Sequence, residues 1–405
     1  MEINNLKKIF APQDKVLANA DKIIEFLKTG NTIPVLVEID PSNSCNHACP
    51  FCISSYLHLD ESKNLETFDR TIMSREMLFS VCKDLIDMKV SAISWTGGGE
   101  PWVNQHLRDV IQYVGENSSI RMGMFTNGTM IDKQNAFEVL SKYMTWVRFS
   151  IDCGTKETYN TIRRPRNGNH DWNKMISNLS ILLDTKEKMN SKLDVGVGFV
   201  ITPDNYHEIV DFALYFQNFN LKYCQYKPEI VNQEREDGVQ RKLEFWKEKV
   251  EPMLDEAKNI LGDKFQINGY KLSDLKNDPT LLGRRYKKCL GSQIQPCVGA
   301  DGEVYICVNQ RGYKEYSYGS LHEKSFKDIW NDIEKRNEIR WKIDERDKFK
   351  NCTQLCKPHS SNQKMYDIYE KYNSMSYDDK LHYEQELLQI EMPNARSTTE
   401  HWEFI

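Results

Sequence analysis

The sequence predicts an α/β fold in which a parallel sheet is wrapped by helices, as a barrel or as a doubly wound sheet. Short apolar runs of strand character alternate with amphipathic helical patterns through the first two thirds of the chain. The ends of those runs collect glycine, polar residues and cysteine, and in parallel α/β folds the strand ends are where ligands gather. The alternation then stops near residue 262, and a second group of cysteines follows.

The elements follow in order. Val16, Leu17, Ala20, Ile23, Ile24 and Leu27 recur at helical spacing, and Gly30 supplies a stop, so residues 1–33 read as a leading amphipathic segment. Strand-like runs fall at 35–39, 92–96, 122–126, 146–151, 195–201 and 223–226. Helical patterns separate them, from Ser74, near Leu107, around Ala136, over 172–183, from Tyr206 and near Phe245. These six strand–helix units make a main domain over 34–261. Residues 262–288 read as a charged linker, 289–360 as a small cysteine-bearing domain, and 361–405 as a tail with helices at 362–372 and 378–390.

The 405 residues are enough for one large domain with a smaller one beside it. A net charge of -5 gives no general field for nucleic acid or an anionic membrane. The start lacks a signal-peptide pattern, and no run approaches about 18 apolar residues, so the expectation is a cytoplasmic protein without a membrane span. In that compartment eleven cysteines read as metal ligands rather than disulfides.

Seven of those cysteines form two groups. Cys45, Cys49 and Cys52 sit in the run Cys-Asn-His-Ala-Cys-Pro-Phe-Cys directly after the first strand. No helix presents all three together, so they belong on a loop. Three thiolates fill three positions of a four-iron cubane and leave one iron open; a zinc site completed by His47 or His58 is the alternative. The back group is Cys289, Cys307, Cys352 and Cys356, where structural zinc is again the alternative. Cys297 competes with Cys289 for the first position, and the motif spacing favours Cys289. Cys82 and Cys224 lie on apolar elements and read as core. Cys153 follows Asp152 at the end of the fourth strand, where a thiol can return a hydrogen atom to a substrate radical; a buried bystander is the other reading.

The front run resembles the signature of the radical S-adenosylmethionine (radical SAM) superfamily, a Cys-x3-Cys-x2-Cys loop after the first strand, and Phe51 before the last cysteine agrees with it. The resemblance implies a partial (β/α)6 TIM-like barrel. It also implies that Gly98, Gly99 and Glu100 meet the methionine amino group, since glycine allows close approach and a carboxylate suits an ammonium. Thr126 and Asn127, with Ser150 and Asp152, fall at the positions for the ribose and carboxylate of the cofactor, and Arg163 suits that carboxylate. Gln225 and Lys227 end the sixth strand and are candidate substrate contacts. Gly196-Val197-Gly198 lacks the third glycine of a dinucleotide fingerprint and is discounted.

The back group resembles the SPASM/twitch extension of the same superfamily. Cys289 precedes a Gly302-x4-Cys307 hairpin, with Asp301-Gly302 as a type I′ turn signal, and Cys352 and Cys356 complete the set. Five cysteines from Cys289 onward suffice for one auxiliary 4Fe-4S cluster, a twitch-like count. The resemblance therefore implies S-adenosylmethionine and two 4Fe-4S clusters as cofactors, with an electron donor such as flavodoxin or ferredoxin. The family's reaction makes a 5′-deoxyadenosyl radical that takes a hydrogen atom from an unactivated carbon. A four-cysteine cluster suits electron transfer, so the leading expectation is dehydrogenation of a small molecule, a sugar, cyclitol or nucleotide-linked compound. The alternatives are an epimerase using Cys153, a maturase of ribosomal peptides, and a metal-stabilised binding module without catalysis. Against the maturase stand the single auxiliary cluster and the absence of a peptide-binding domain in the residues before the first strand.

Overall fold

Leu36–Ile39 forms β1, with every residue buried, because a central parallel strand is covered on both faces. The computed structural model describes residues 12–54, 57, 70–131, 135–166, 168, 171–230, 236–267, 284–353, 356, 358–390 and 404. His58, weighed as a zinc ligand, lies outside the described residues. Strands β2 (Ala92–Trp95), β3 (Arg121–Thr126), β4 (Trp146–Ser150), β5 (Asp194–Ile201) and β6 (Tyr223–Pro228) follow β1 in parallel, each beside the last. Helices cross back between them, as in the Arg75–Asp87 helix, where the Ser74 hydroxyl caps the Met77 N–H.

The pleat divides β3 to β6 into two faces. Met122, Met124, Val147, Phe149, Val195, Val197, Phe199, Cys224 and Tyr226 belong to the main core, which also holds Cys82. The opposite face is polar and rich in glycine. A side chain at Gly123 would run into the Trp146 indole, and one at Gly196 into the Tyr223 ring, so these glycines make room for large neighbours on the next strand. Arg148 lies there over the Phe125 ring and donates to Gln225.

The sheet continues past both ends of the expected barrel. Phe265–Ile267, inside the stretch expected as linker, forms β7 and extends the parallel order beside β6. At the other edge β8 (Cys297–Val298) pairs parallel with β1, and β9 (Glu303–Tyr305) and β10 (Ser317–Ser320) add antiparallel. The hairpin carrying Cys307 is thus hydrogen-bonded to the strand that leads into the front cysteines. Its turn differs from the expected type I′. Gly302 N–H donates to Gly299 O, and Gly302 alone in the turn has a positive φ, +82°, which is a type I turn followed by a left-handed glycine.

The leading segment is a 3-10 turn, Pro12–Asn19, continuing into the helix Ala20–Thr29, and Gly30 ends it in the left-handed conformation. It forms a second core with the helices His359–Asn373 and Tyr377–Leu388 of the tail, through Ile23, Phe26, Met365, Tyr372 and Leu387. Phe404 meets the Trp146 indole, at the first residue of β4 and therefore at the end of the sheet away from the cysteine loop. Among the described residues no helix is long and apolar enough to cross a membrane.

A pH prediction arises in this second core. Burial, reinforced by Arg284 and Arg285, pushes His359 down to about 4, and its ring contacts the Tyr286 hydroxyl. The unfolded chain therefore binds one more proton between its ordinary histidine value and pH 4. Stability should fall on acidification across that window, by about 1 kcal/mol per pH unit from this group. Denaturant melts from pH 7 to pH 4.5 test it: His359→Gln should remove that part of the slope, and an identical slope would refute it.

Candidate metal centres

The loop after β1 is tied down at both flanks and through its middle. Asn43 N–H donates to Thr71 O, and Ala48 N–H reaches the carbonyls of Arg163 and Arg164 at the end of the helix Lys156–Arg163. Asn46 Nδ2 donates to Thr129 Oγ1 (2.8 Å) and Asp171 Oδ2 (3.2 Å), while Asn127 Nδ2 donates to Asn46 Oδ1 (2.8 Å). His47 Nε2 meets Asp171 Oδ2 at 2.9 Å, so the candidate zinc ligand is engaged by a carboxylate. The residues between the cysteines thus anchor the loop to the ends of other strands. Their role was missed in the sequence because Asn127 and Asp171 lie 81 and 125 positions from Asn46.

Cys45, Cys49 and Cys52 line one pocket with Phe51, Gly98, Gly99, Glu100, Thr126, Asn127, Ser150 and Arg163. These are the residues nominated from the sequence, with Asp152, Cys153, Gln225 and Lys227 as the exceptions. Thr96, Gly97, Phe125 and Arg166 line it too, two of them, Gly97 and Phe125, next in chain to nominated residues. The glycines serve the loop itself. A Cβ on Gly98 would lie 2.1 Å from Asn43 Oδ1, and one on Gly99 would lie 2.1 Å from Ser44 O, while Gly99 and Glu100 donate their N–H groups to Ser42 O and Ser44 O. Gly99→Ala should therefore push the cysteine loop out of place, since a backbone carbonyl blocks the added methyl. A displacement of this kind is expected to cost about 100-fold in any reaction run at the pocket. Turnover alongside far-UV circular dichroism checks it; full turnover would show that the loop absorbs the methyl.

Glu100 is buried and accepts from Thr126 Oγ1 (2.6 Å), Asn127 N–H (2.7 Å) and Trp102 N–H (3.3 Å), which fixes the end of β2 to the end of β3. Burial raises its pKa, and these three donors oppose the rise. Asp152 stands at a φ of +65°, uncommon for a side-chain-bearing residue. Its Oδ2 accepts from Arg163 Nη1 at 2.6 Å and its Oδ1 from Val200 N–H at 2.7 Å, so it sits behind Arg163 rather than on the pocket wall. Among the described residues Arg163 Nε has no hydrogen-bond partner. Cys153 is fully buried in the main core with its thiol on Ile151 O, away from the pocket wall. The next turn packs on Glu208, whose carboxylate receives Gly154 N–H and the Thr155 and Thr158 hydroxyls.

At the back, burial raises the pKa of Cys289, Cys307 and Cys356, and neighbouring thiols of the same group add to it: Cys307, Cys352 and Cys356 on Cys289, Cys352 and Cys356 on Cys307, and Cys352 on Cys356. Cys356 is pushed up to about 12. Cys297 is elsewhere, buried on β8 opposite Glu38 of β1 and Tyr305 of β9. Among the described residues no three His, Cys, Asp or Glu side chains are grouped for a single ion. Both thiol groups offer the sulfur donors that a cubane takes.

Comparison with known families decides between the readings. The description "Radical SAM superfamily" matches residues 39–215, and "Iron-sulfur cluster-binding domain" (SPASM) matches residues 289–357, together more than half of the chain. The chain belongs to the radical SAM superfamily. It carries a SPASM domain, and its sheet is this family's partial barrel extended by that domain. This radical SAM chain is 24% identical to the cysteine-type anaerobic sulfatase-maturating enzyme of Clostridium novyi, over 77% of this chain and 83% of that one. It is 23% identical to the mycofactocin maturase MftC of Mycolicibacterium smegmatis, over 79% of this chain and 76% of that one. Its fold is similar to the crystal structure of Streptococcus suis SuiB bound to S-adenosylmethionine, with a TM-score of 0.55, 16% identity, and coverage of 79% of this chain and 71% of SuiB. The family implies a 4Fe-4S cluster with S-adenosylmethionine and auxiliary cluster binding, and the two thiol groups described above fit those groups in donor chemistry.

Proposed function

We propose that this radical SAM enzyme is a maturase, removing a hydrogen atom from an unactivated carbon of one residue in a peptide or protein segment. The observation that carries catalysis is the convergence of Cys45, Cys49 and Cys52 with the β2, β3 and β4 strand ends and Arg163 around one pocket. A peptide replaces the small-molecule substrate expected from the sequence. What supports the change is the kind of relative: a sulfatase-maturating enzyme and a mycofactocin maturase by sequence, and by fold SuiB, whose structure bound to its precursor peptide SuiA has a TM-score of 0.55.

When bound, the cluster and S-adenosylmethionine supply the 5′-deoxyadenosyl radical after one electron enters. Cys45, Cys49 and Cys52 are the ligands in this reading, and Phe51 lines the same pocket. Glu100 fixes the ends of β2 and β3, which lets the Gly98 and Gly99 backbone and Asn127 face the cofactor. Ser150 ends β4 at the ribose side. Arg163 keeps a free Nε for a carboxylate, and Asp152 holds its other edge. Cys153 has no part, because its thiol is buried in the core, and this removes the hydrogen donor that the epimerase alternative needs. Cys289, Cys307, Cys352 and Cys356 would hold one auxiliary cluster, which would supply an electron acceptor. A low-potential flavodoxin or ferredoxin is the electron source.

The test uses the anaerobically reconstituted protein with dithionite, S-adenosylmethionine and the peptides encoded beside its own reading frame. Faster 5′-deoxyadenosine formation together with a mass change in one peptide is the expected result. Stimulation by sugars or cyclitols, with every peptide inert, would return the assignment to a small molecule.

A further inference from the structure

The short turn after Cys307 is aimed at sulfur. Val308–Gln310 is a single 3-10 turn, in which the Gln310 N–H donates to Cys307 O at 3.1 Å. The two side chains reach sulfur: Asn309 Nδ2 donates to Cys356 Sγ at 3.6 Å, and Gln310 Nε2 donates to Cys352 Sγ at 3.7 Å. Gln310 Nε2 is also held by Asn351 O at 2.9 Å. Both amides are buried, Asn309 at 7% exposure and Gln310 at 1%, so water does not compete for these bonds. Two consecutive residues thus present side-chain N–H groups to two of the four back sulfurs.

The front thiols are treated differently. Among the described residues, His47 N–H at 3.4 Å from Cys45 Sγ is the one N–H directed at a front sulfur, while the Cys49 thiol faces a carbonyl, Arg163 O, at 3.4 Å. An N–H bond to a ligand sulfur stabilises the more negative, reduced state of a cluster and so raises its reduction potential. Buried amides do this strongly, because low dielectric strengthens the bond.

We propose that Asn309 and Gln310 are positioning residues that raise the reduction potential of the back cluster and so make it an electron acceptor. This rests on the reading of Cys289, Cys307, Cys352 and Cys356 as the ligands of one cluster, which the iron content of the same samples tests separately.

The experiment is a potentiometric titration followed by electron paramagnetic resonance, on full-length protein with Cys45, Cys49 and Cys52 replaced by alanine so that the back cluster titrates alone. Asn309→Leu and Gln310→Met keep side-chain size and remove the donor. Each should shift the midpoint to a more negative potential, the double variant further, with about four irons retained. Asn309→Asp and Gln310→Glu keep shape and put an acceptor where the donor was, and they should shift it further in the same direction. Since Asn309 and Gln310 enter the test independently, poor loading of one variant leaves the other as the measurement. Loaded clusters with an unmoved or raised midpoint overturn the proposal. Fewer than about four irons in the alanine background itself overturns the single-cluster reading and the tuning with it.

Discussion

Replacing Cys45, Cys49 and Cys52 by alanine is expected to lower 5′-deoxyadenosine formation by at least about 1000-fold while the protein keeps its fold and its back cluster. The front site offers three thiols in one pocket, and among the described residues nothing else there can take their place: His47 is held by Asp171, and the Glu100 carboxylate is filled by three donors. Without the open-iron cluster there is no route to the radical, because no side chain generates one alone. Iron content should fall from about eight per chain to about four. The loop's anchors at Asn46, Ala48 and Asn127 are retained, so far-UV circular dichroism should be unchanged. Turnover that survives with four irons would sink the assignment of the front site. The complementary replacement of Cys289, Cys307, Cys352 and Cys356 should leave the other four irons and, with dithionite as donor, leave cleavage of S-adenosylmethionine measurable.

Arg311→Met is expected to lower stability by about 3–5 kcal/mol, the cost of stranding a buried charge. Arg311 lies four positions after Cys307, and its Nη1 meets Asp40 Oδ2 at 2.6 Å while Nη2 donates to Ser54 Oγ at 2.5 Å. Both partners of the ion pair are buried, with 3% and 0% of their side chains exposed. Burial pushes Asp40 up to about 6 against the pull of Arg311, so the carboxylate is still ionised at neutral pH. Asp40 precedes the front cysteines and Ser54 follows them, which means one guanidinium joins the back hairpin to both flanks of the front loop. The pair should therefore matter to both thiol groups: iron should be lost from front and back together. Adding Asp40→Asn to Arg311→Met removes the stranded charge and should recover much of the loss, which a double-mutant cycle on the melting of the anaerobic holoprotein measures. A single variant that melts within about 1 kcal/mol of the parent would show that water reaches Asp40 and that the tether is weak.

The strands and the front site were legible because their signals are local. Alternating apolar runs mark β1 to β6, and three cysteines within eight residues declare a loop on their own. Gly98, Gly99 and Glu100 were found the same way, from a short motif at a strand end, although their contacts proved to be with the cysteine loop and with β3. β7 was hidden, because three residues in a charged stretch carry too little pattern to be read as a strand. The turn at Asp301-Gly302 was misread as type I′ because the dipeptide preference cannot see that Ala300 and Asp301 keep negative φ. The substrate class lay beyond the residues altogether: the residues at the pocket's described wall are those the family resemblance assigns to the cofactor, and the proposal of a peptide came from relatives.

By itself the sequence determined the chemistry of the two thiol groups, the order of strands and helices, and the residues gathered at the strand ends, since each depends on neighbours in the chain. Only the tertiary structure decided which of those residues meet. It turned Cys153 into the core and set Asp152 behind Arg163. It also paired β8 with β1 and joined Arg311 to Asp40 across 271 positions of chain. Burial, register and long-range hydrogen bonding are properties of the folded surface against surface, and no spacing along one chain encodes them directly.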